Sequence, residues 1–130
     1  MRILVGYDGS NVSKEAVKTA VLYAQAFQAR IYVLMSMVGG PDVPREDFAK
    51  NEQELDYIQS TMIPPSVESE VHLSVRGFEP GEDIVSFAKD NRIDLIIVGV
   101  KRRSKVGKLV FGSNAQYIIL KAPCPVMSVK

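Results

Sequence analysis

Five short apolar runs are spaced along this chain, and a helical pattern separates each from the next. The first is Ile3-Leu4-Val5, within a strand predicted from Arg2 to Gly6. The second is Ile31-Tyr32-Val33-Leu34-Met35, within a strand predicted from Arg30 to Val38. Glu70 to Val75 alternates, Leu95-Ile96-Ile97-Val98 fills Asp94 to Gly99, and Val126 to Val129 comes last. Runs of about four to eight such residues bounded by turn signals read as strands. The intervening segments repeat at three and four. A helix from about Asn11 to Gln28 lines up Ala16, Ala20 and Ala24 with Val17 and Val21, a small-residue face that packs closely on a sheet. A second, from about Arg45 to Met62, aligns Phe48, Leu55, Ile58 and Met62 and stops at Pro64-Pro65. A third places Glu82 and Asp83 in its first turn, where acids suit the helix dipole, and ends near Asn91. A fourth carries Ala115, Ile118, Ile119 and Ala122 and stops at Pro123-Cys124-Pro125. Alternation of this kind requires right-handed β-α-β crossovers, hence an α/β fold with a parallel sheet and helices on both faces. The 130 residues suffice for one domain, expected over 1–130, with no repeat or linker.

One connection breaks the rhythm. Between the fourth strand and the last helix lie 13 residues, Val100 to Gly112, where about 2–6 are usual. The loop is basic (Lys101, Arg102, Arg103, Lys105, Lys108) and ends in Gly112-Ser113. Free N–H groups at a helix start and the helix dipole attract anions, and glycine lets the main chain approach a ligand. Ser113 with Gln116 has the spacing of a capping box. The first strand ends in Tyr7-Asp8-Gly9-Ser10, a tight turn with helix-start chemistry. In open sheets the ligand lies beyond the strand ends where strand order reverses. If the first and fourth strands are neighbours there, the Asp8 carboxylate meets the basic loop. Asp8 suits an Asx-turn, and it also suits contact with a ribose hydroxyl or a metal.

Charge narrows the ligand. The net charge is +1, yet no acidic residue follows Asp94, and that segment carries seven basic ones. A local positive site fits a small anion. The acidic remainder and an aromatic content of 8% argue against nucleic acid. Ser104-Lys105-Val106-Gly107-Lys108 lacks P-loop spacing. His72 is the only histidine and Cys124 the only cysteine, so a histidine metal cluster and an internal disulfide are not expected. No apolar run approaches the roughly 20 residues of a membrane span, and the apolar start is short for a signal peptide. A cytoplasmic location is the expectation.

At these residues the chain resembles the universal stress protein family. Ile3-Leu4-Val5-Gly6-Tyr7-Asp8-Gly9-Ser10 is similar to that family's first strand and aspartate turn. Asp94 to Gly99 is similar to its fourth strand, and Gly112-Ser113 and Ala122-Pro123-Cys124-Pro125-Val126 to its closing segments. The resemblance implies a flavodoxin-like, adenine nucleotide alpha hydrolase-like three-layer sandwich with a five-stranded sheet in the order 3-2-1-4-5. It implies homodimers paired through Val126 to Val129. Nucleotide-binding members carry glycine, two residues, glycine, nine residues, then glycine-serine or glycine-threonine. Here Gly99 and Gly112-Ser113 keep the spacing, and Arg102 replaces the middle glycine. By resemblance, Asp8 faces ribose and phosphates and is the candidate metal ligand. Gly6 and Ser36 border base and sugar, with Tyr7 in the same turn. Val98 and Gly99 line the adenine pocket, and Lys101, Arg102, Arg103, Gly112, Ser113 and Asn114 surround the phosphates. ATP with Mg or Mn is the implied ligand. With no general base placed to activate water, a regulatory role is expected and at most slow, incidental hydrolysis. The alternative implied by Arg102 is an interaction module that binds another anion or an acidic partner and not ATP.

Overall fold

The computed structural model describes residues 1–38, 42–101 and 112–130. Residues 39–41, after the predicted end of the second strand, and the loop residues 102–111, with Arg102 and Arg103, lie outside them. The elements are β1 (Arg2–Gly6), α1 (Asn11–Phe27), β2 (Arg30–Ser36), α2 (Arg45–Met62), β3 (Ser69–Ser74), α3 (Pro80–Asp90), β4 (Leu95–Gly99), α4 (Ser113–Lys121) and β5 (Val126–Val129). The sheet is parallel throughout, in the order β3-β2-β1-β4-β5. Expected and observed boundaries differ by a residue or two. The largest difference is β2, which stops at Ser36, the last residue paired with β3.

Side-chain alternation on the central strands explains both layers. Ile3, Val5, Ile31, Val33, Leu95 and Ile97 point to one face and form a core with α1 and α2. Leu4, Tyr32, Leu34, Ile96 and Val98 point to the other and meet α3 and α4. Continuous apolar runs are what a strand buried on both faces requires. Ala16, Ala20 and Ala24 are buried on α1, so that helix sits low on the sheet. The approach is closest at Gly99, where an added Cβ would lie 2.5 Å from the main-chain carbon of Val12. Among the described residues, no helix is long and apolar enough to cross a membrane.

His72 has company that its sequence neighbourhood does not announce. Its ring lies 5.1 Å from that of Phe87 and 6.4 Å from that of Tyr32, and Nε2 is 3.5 Å from Glu70. Cys124 is half-buried beside the α3/α4 core, and burial, with Asp94 nearby, pushes its thiol up from the ordinary value. That makes it a poor nucleophile.

Candidate functional site

Strand order reverses between β1 and β4, since β1 leads to β2 on one side and pairs with β4 on the other. Beyond the carboxyl ends of these strands lie two adjoining pockets. The inner one, about 170 Å³, is lined by Gly6, Leu34, Ile84, Val98 and Ile118, with Ser36 and Asp8 at its polar side. The outer one, about 250 Å³, is lined by Val12, Val100, Lys101 and Gly112. Asp8, Gly99, Asn114 and Ala115 border both. The inner pocket offers apolar walls, and the outer one offers charge and main chain.

The Asp8 turn is built locally. Asp8 Oδ1 accepts from the Ser10 N–H at 2.9 Å, an Asx-turn, and Gly9 takes the left-handed φ of +84° that this turn needs. Ser10 then caps α1, its Oγ accepting from the Ser13 N–H at 3.2 Å. Partial burial works to raise the Asp8 pKa. The Ser10 hydroxyl and N–H, the Ser13 hydroxyl and the Lys101 charge outweigh it and hold the carboxyl below its ordinary value. Asp8 and Lys101 therefore meet in this space, as expected for a carboxylate beside a basic loop.

The start of α4 differs from the expectation. Gly112, with φ −63° and ψ 162°, is the N-cap, and Ser113 is already the first helical residue. The Ser113–Gln116 capping box is not formed, because a box needs its serine in the extended cap position that Gly112 holds. Gly112 has no side chain to accept from the first-turn N–H groups, and among the described residues an added Cβ there would meet nothing within 4 Å. Asn114 borders both pockets, but its Oδ1 accepts from the Gly81 N–H at 2.9 Å. It thereby satisfies an orphan donor at the start of α3 and ties α3 to α4. An added Cβ on Gly81 would come within 3.0 Å of the Asn114 carbonyl oxygen, so a glycine permits that junction.

Tyr7 sits in the expected turn and borders the inner pocket, and its side chain packs into the core on the other face of the sheet. It is buried and donates to Glu54 Oε1 at 2.5 Å. Burial first, then the hydrogen bond and charge of Glu54, raise its phenol far above the ordinary value. Ser36 is in the inner pocket, and its hydroxyl donates to Asp83 Oδ2. Asp83 is in the first turn of α3 as expected, and its burial is what the sequence did not announce: it is fully buried. Ser74 donates to the same oxygen at 3.0 Å, and Arg76 grips Oδ1 through Nε at 3.2 Å and Nη2 at 2.9 Å. The available signal was spacing, because Asp83 lies one turn before Phe87 on the apolar side of α3, whereas Glu82 lies on the exposed side. Pro80, Ile84, Ala115 and Ile118 also line the inner pocket and were not expected there. Among the described residues, no group of three or more metal-ligating side chains occurs.

The model of the Usp family, described as the universal stress protein family, matches residues 1–130. The chain belongs to the universal stress protein family. A relative from Thermus aquaticus, the universal stress protein in QAH/OAS sulfhydrylase 3'region, is 34% identical over 98% of this chain and 97% of its own. A universal stress protein from Archaeoglobus fulgidus has a TM-score of 0.86 and 35% identity, with 100% of this chain and 93% of that one covered. A structure of the Archaeoglobus fulgidus universal stress protein in complex with dAMP has a TM-score of 0.84 and 33% identity, over 100% of this chain and 98% of that one. The fold expected from the resemblance, with its 3-2-1-4-5 sheet, is the fold observed.

Proposed function

We propose that this chain binds an adenine nucleotide across the two pockets. The observation that carries the reading is their pairing at the switch point, apolar within and polar without, with an open helix start on the outer side. The purine takes the space among Leu34, Ile84 and Val98. The ribose passes Asp8, with Gly6 and Ser36 beside base and sugar and Tyr7 contributing main chain. The phosphates meet Lys101, Gly112, Ser113 and the Asn114 main chain, with Arg102 and Arg103 adding charge. Gly99 keeps the main chain close to the ligand. The dAMP complex of the Archaeoglobus fulgidus relative supports this assignment.

ATP is the proposed nucleotide. Mg or Mn would be carried mainly by its phosphate oxygens, with Asp8 the one carboxylate that borders both pockets, and would neutralise phosphate charge. The role is regulatory. Asp8 is held acidic, so at neutral pH it is a weak base for activating water. The protein works in the cytoplasm as a homodimer. Its contact is β5, a sheet-edge strand whose Val126, Met127 and Val129 are only partly buried, following an α4 that exposes Ile119 and Leu120.

A second reading rests on Arg102 in place of the motif glycine: an interaction module whose basic loop takes another anion or an acidic partner. Native mass spectrometry of the purified chain separates the two. A stoichiometric adenine nucleotide, co-purified or taken up with magnesium, is the expected result, on a dimeric particle. A chain that emerges empty and ignores added ATP and magnesium overturns the nucleotide reading and favours the module.

A further inference from the structure

The edge of the sheet opposite β5 is β3, and its outer side is open. Main-chain groups alternate in direction along a strand. The Glu68 carbonyl accepts from the Ile31 N–H at 2.9 Å and the Ser74 carbonyl from the Met37 N–H at 2.8 Å, so the even-numbered positions from 68 to 74 turn toward β2. Ser69, Val71 and Leu73 therefore turn their N–H and C=O groups away from the sheet. Gln59 Nε2 donates to the Ser69 carbonyl at 3.1 Å, which closes the edge at its start. Among the described residues, nothing pairs with the outward main chain of Val71 or Leu73. Nor does β3 contain proline or lysine, the common guards of an exposed edge.

We infer that this edge docks an extended segment of another protein as an added strand, and that the segment carries lysine or arginine at alternate positions. Beside the edge lies a groove of about 200 Å³, lined by Val71 and Leu73 of β3 and by Glu52, Leu55 and Asp56 of α2. Val71 and Leu73 are partly buried against the α1/α2 core, so their side chains are on the groove side. Glu52 and Asp56 lie one turn apart on α2 and are exposed, and among the described residues neither has an ion-pair partner. A strand laid along β3 sends alternate side chains into this groove. A lysine or arginine there rests its stem on Leu55, Val71 and Leu73 and carries its charge to Glu52 and Asp56. Main-chain bonds to Val71 and Leu73 supply the affinity, and the two acids select the charge. A second copy of β3 is the wrong mate, because two-fold pairing brings the acids of one copy toward those of the other. The dimer proposed above uses the opposite edge, and the groove shares no residue with the two nucleotide pockets. The inference is therefore independent of the nucleotide reading.

The test is amide hydrogen exchange of the full chain, read residue by residue by NMR, with a blocked heptapeptide of alternating lysine and valine as the probe. In the free chain the Val71 and Leu73 N–H groups should exchange much faster than those of Glu70 and His72, which β2 covers. Saturating peptide should slow Val71 and Leu73 about tenfold or more and leave Glu70 and His72 as they were. The same peptide with glutamate in place of lysine should give no such protection. Glu52→Lys combined with Asp56→Lys changes only exposed side chains. It should weaken the lysine peptide about tenfold, the scale of two surface ion pairs turned repulsive, and let the glutamate peptide bind. No slowing at millimolar lysine peptide overturns the inference. So does equal binding of the two peptides, or a lysine peptide indifferent to the double variant. Protection of Val71 and Leu73 that is already present without peptide and grows with protein concentration would assign the edge to a second copy, and that also overturns it.

Discussion

Two helix starts flank the outer pocket, and they are made differently. The start of α1 is closed on itself: Ser10 caps the Ser13 N–H, the Ser13 hydroxyl donates back to the Ser10 carbonyl at 2.8 Å, and Asp8 takes the Ser10 N–H. The start of α4 has Gly112 as its cap and, among the described residues, no side-chain acceptor and nothing close to the glycine. A helix start that carries its own side-chain cap, with a carboxylate beside it, disfavours an anion. One that carries neither is more open to it. The two ends therefore divide the work. α1 fixes the carboxylate and the wall of the cleft, and α4 presents the N–H groups. Gly99 lets them lie this close, since β4 passes directly under Val12 and Ser13.

The heaviest blow to this arrangement is Gly99→Ala. The new methyl would stand 2.5 Å from the Val12 carbonyl carbon, 2.6 Å from its oxygen and 2.9 Å from the Ser13 nitrogen, all main-chain atoms. Main chain cannot swing aside as a side chain can, so α1 must lift from the sheet. We expect a loss of about 3 kcal/mol, at the upper end for overpacking, and a fall in Tm of about 10 °C. Thermal unfolding followed by circular dichroism checks it. An unchanged Tm would mean that the α1 start is not pinned to β4. Gly6→Ala is a milder companion, because its closest contact at 2.7 Å is the end of the Ile84 side chain.

Gly112→Asp sharpens the comparison by making α4 resemble α1. Among the described residues nothing crowds the position, and its extended φ and ψ suit aspartate. A capping carboxylate would stabilise the helix by a few tenths of a kcal/mol relative to glycine. It would also occupy the N–H groups and repel phosphate, costing about 1–4 kcal/mol of interaction, so nucleotide affinity should fall about tenfold or more. Stability up with affinity down is the expected pair of results, from thermal unfolding and titration with ATP and magnesium. Unaltered affinity would place the anion elsewhere.

Much of this was legible in the sequence, and the illegible part has a common cause. Ile3-Leu4-Val5 and Leu95-Ile96-Ile97-Val98 announce strands buried on both faces, because no other element tolerates such runs at that length. The Ala16, Ala20 and Ala24 ridge announces a close-packed helix, which the structure shows. Asp8 could be placed at the site because a turn after a central strand has few other positions. What escaped are partnerships between residues distant in sequence. Asp83 is an ordinary first-turn acid until β2 and β3 bring Ser36 and Ser74 to it. Asn114 caps a helix 33 residues earlier, a pairing no local rule contains. Tyr7 borders the inner pocket, as its place in the turn suggested, and what escaped is that its hydroxyl answers to Glu54, 47 residues away. Ser113 misled for the opposite reason. A local capping rule fits it, but the chain placed the cap one residue earlier.

The smallest effect we predict comes from protons, and it tests the closed start alone. Asp8 has a folded-state pKa below its ordinary value of 3.8 because the Ser10 and Ser13 donors and Lys101 favour the charged form over the opposing effect of burial. A group whose pKa is lowered on folding stabilises the fold fully above its unfolded value. The contribution is lost as pH falls through the folded one. Stability should therefore be flat in this respect at neutral pH and decline below about pH 4. Asp8→Asn keeps an oxygen for the Ser10 N–H and removes the titration. Its stability curve should run parallel to that of the unsubstituted chain at neutral pH and lose part of the acid decline. Asp8 is exposed, so the difference is expected to be small, within the modest range of surface electrostatics. Curves that fall identically in acid would show that the Asx-turn, and not the charge, is what Asp8 contributes to the α1 start. The asymmetry with α4 would then lie in capping geometry alone.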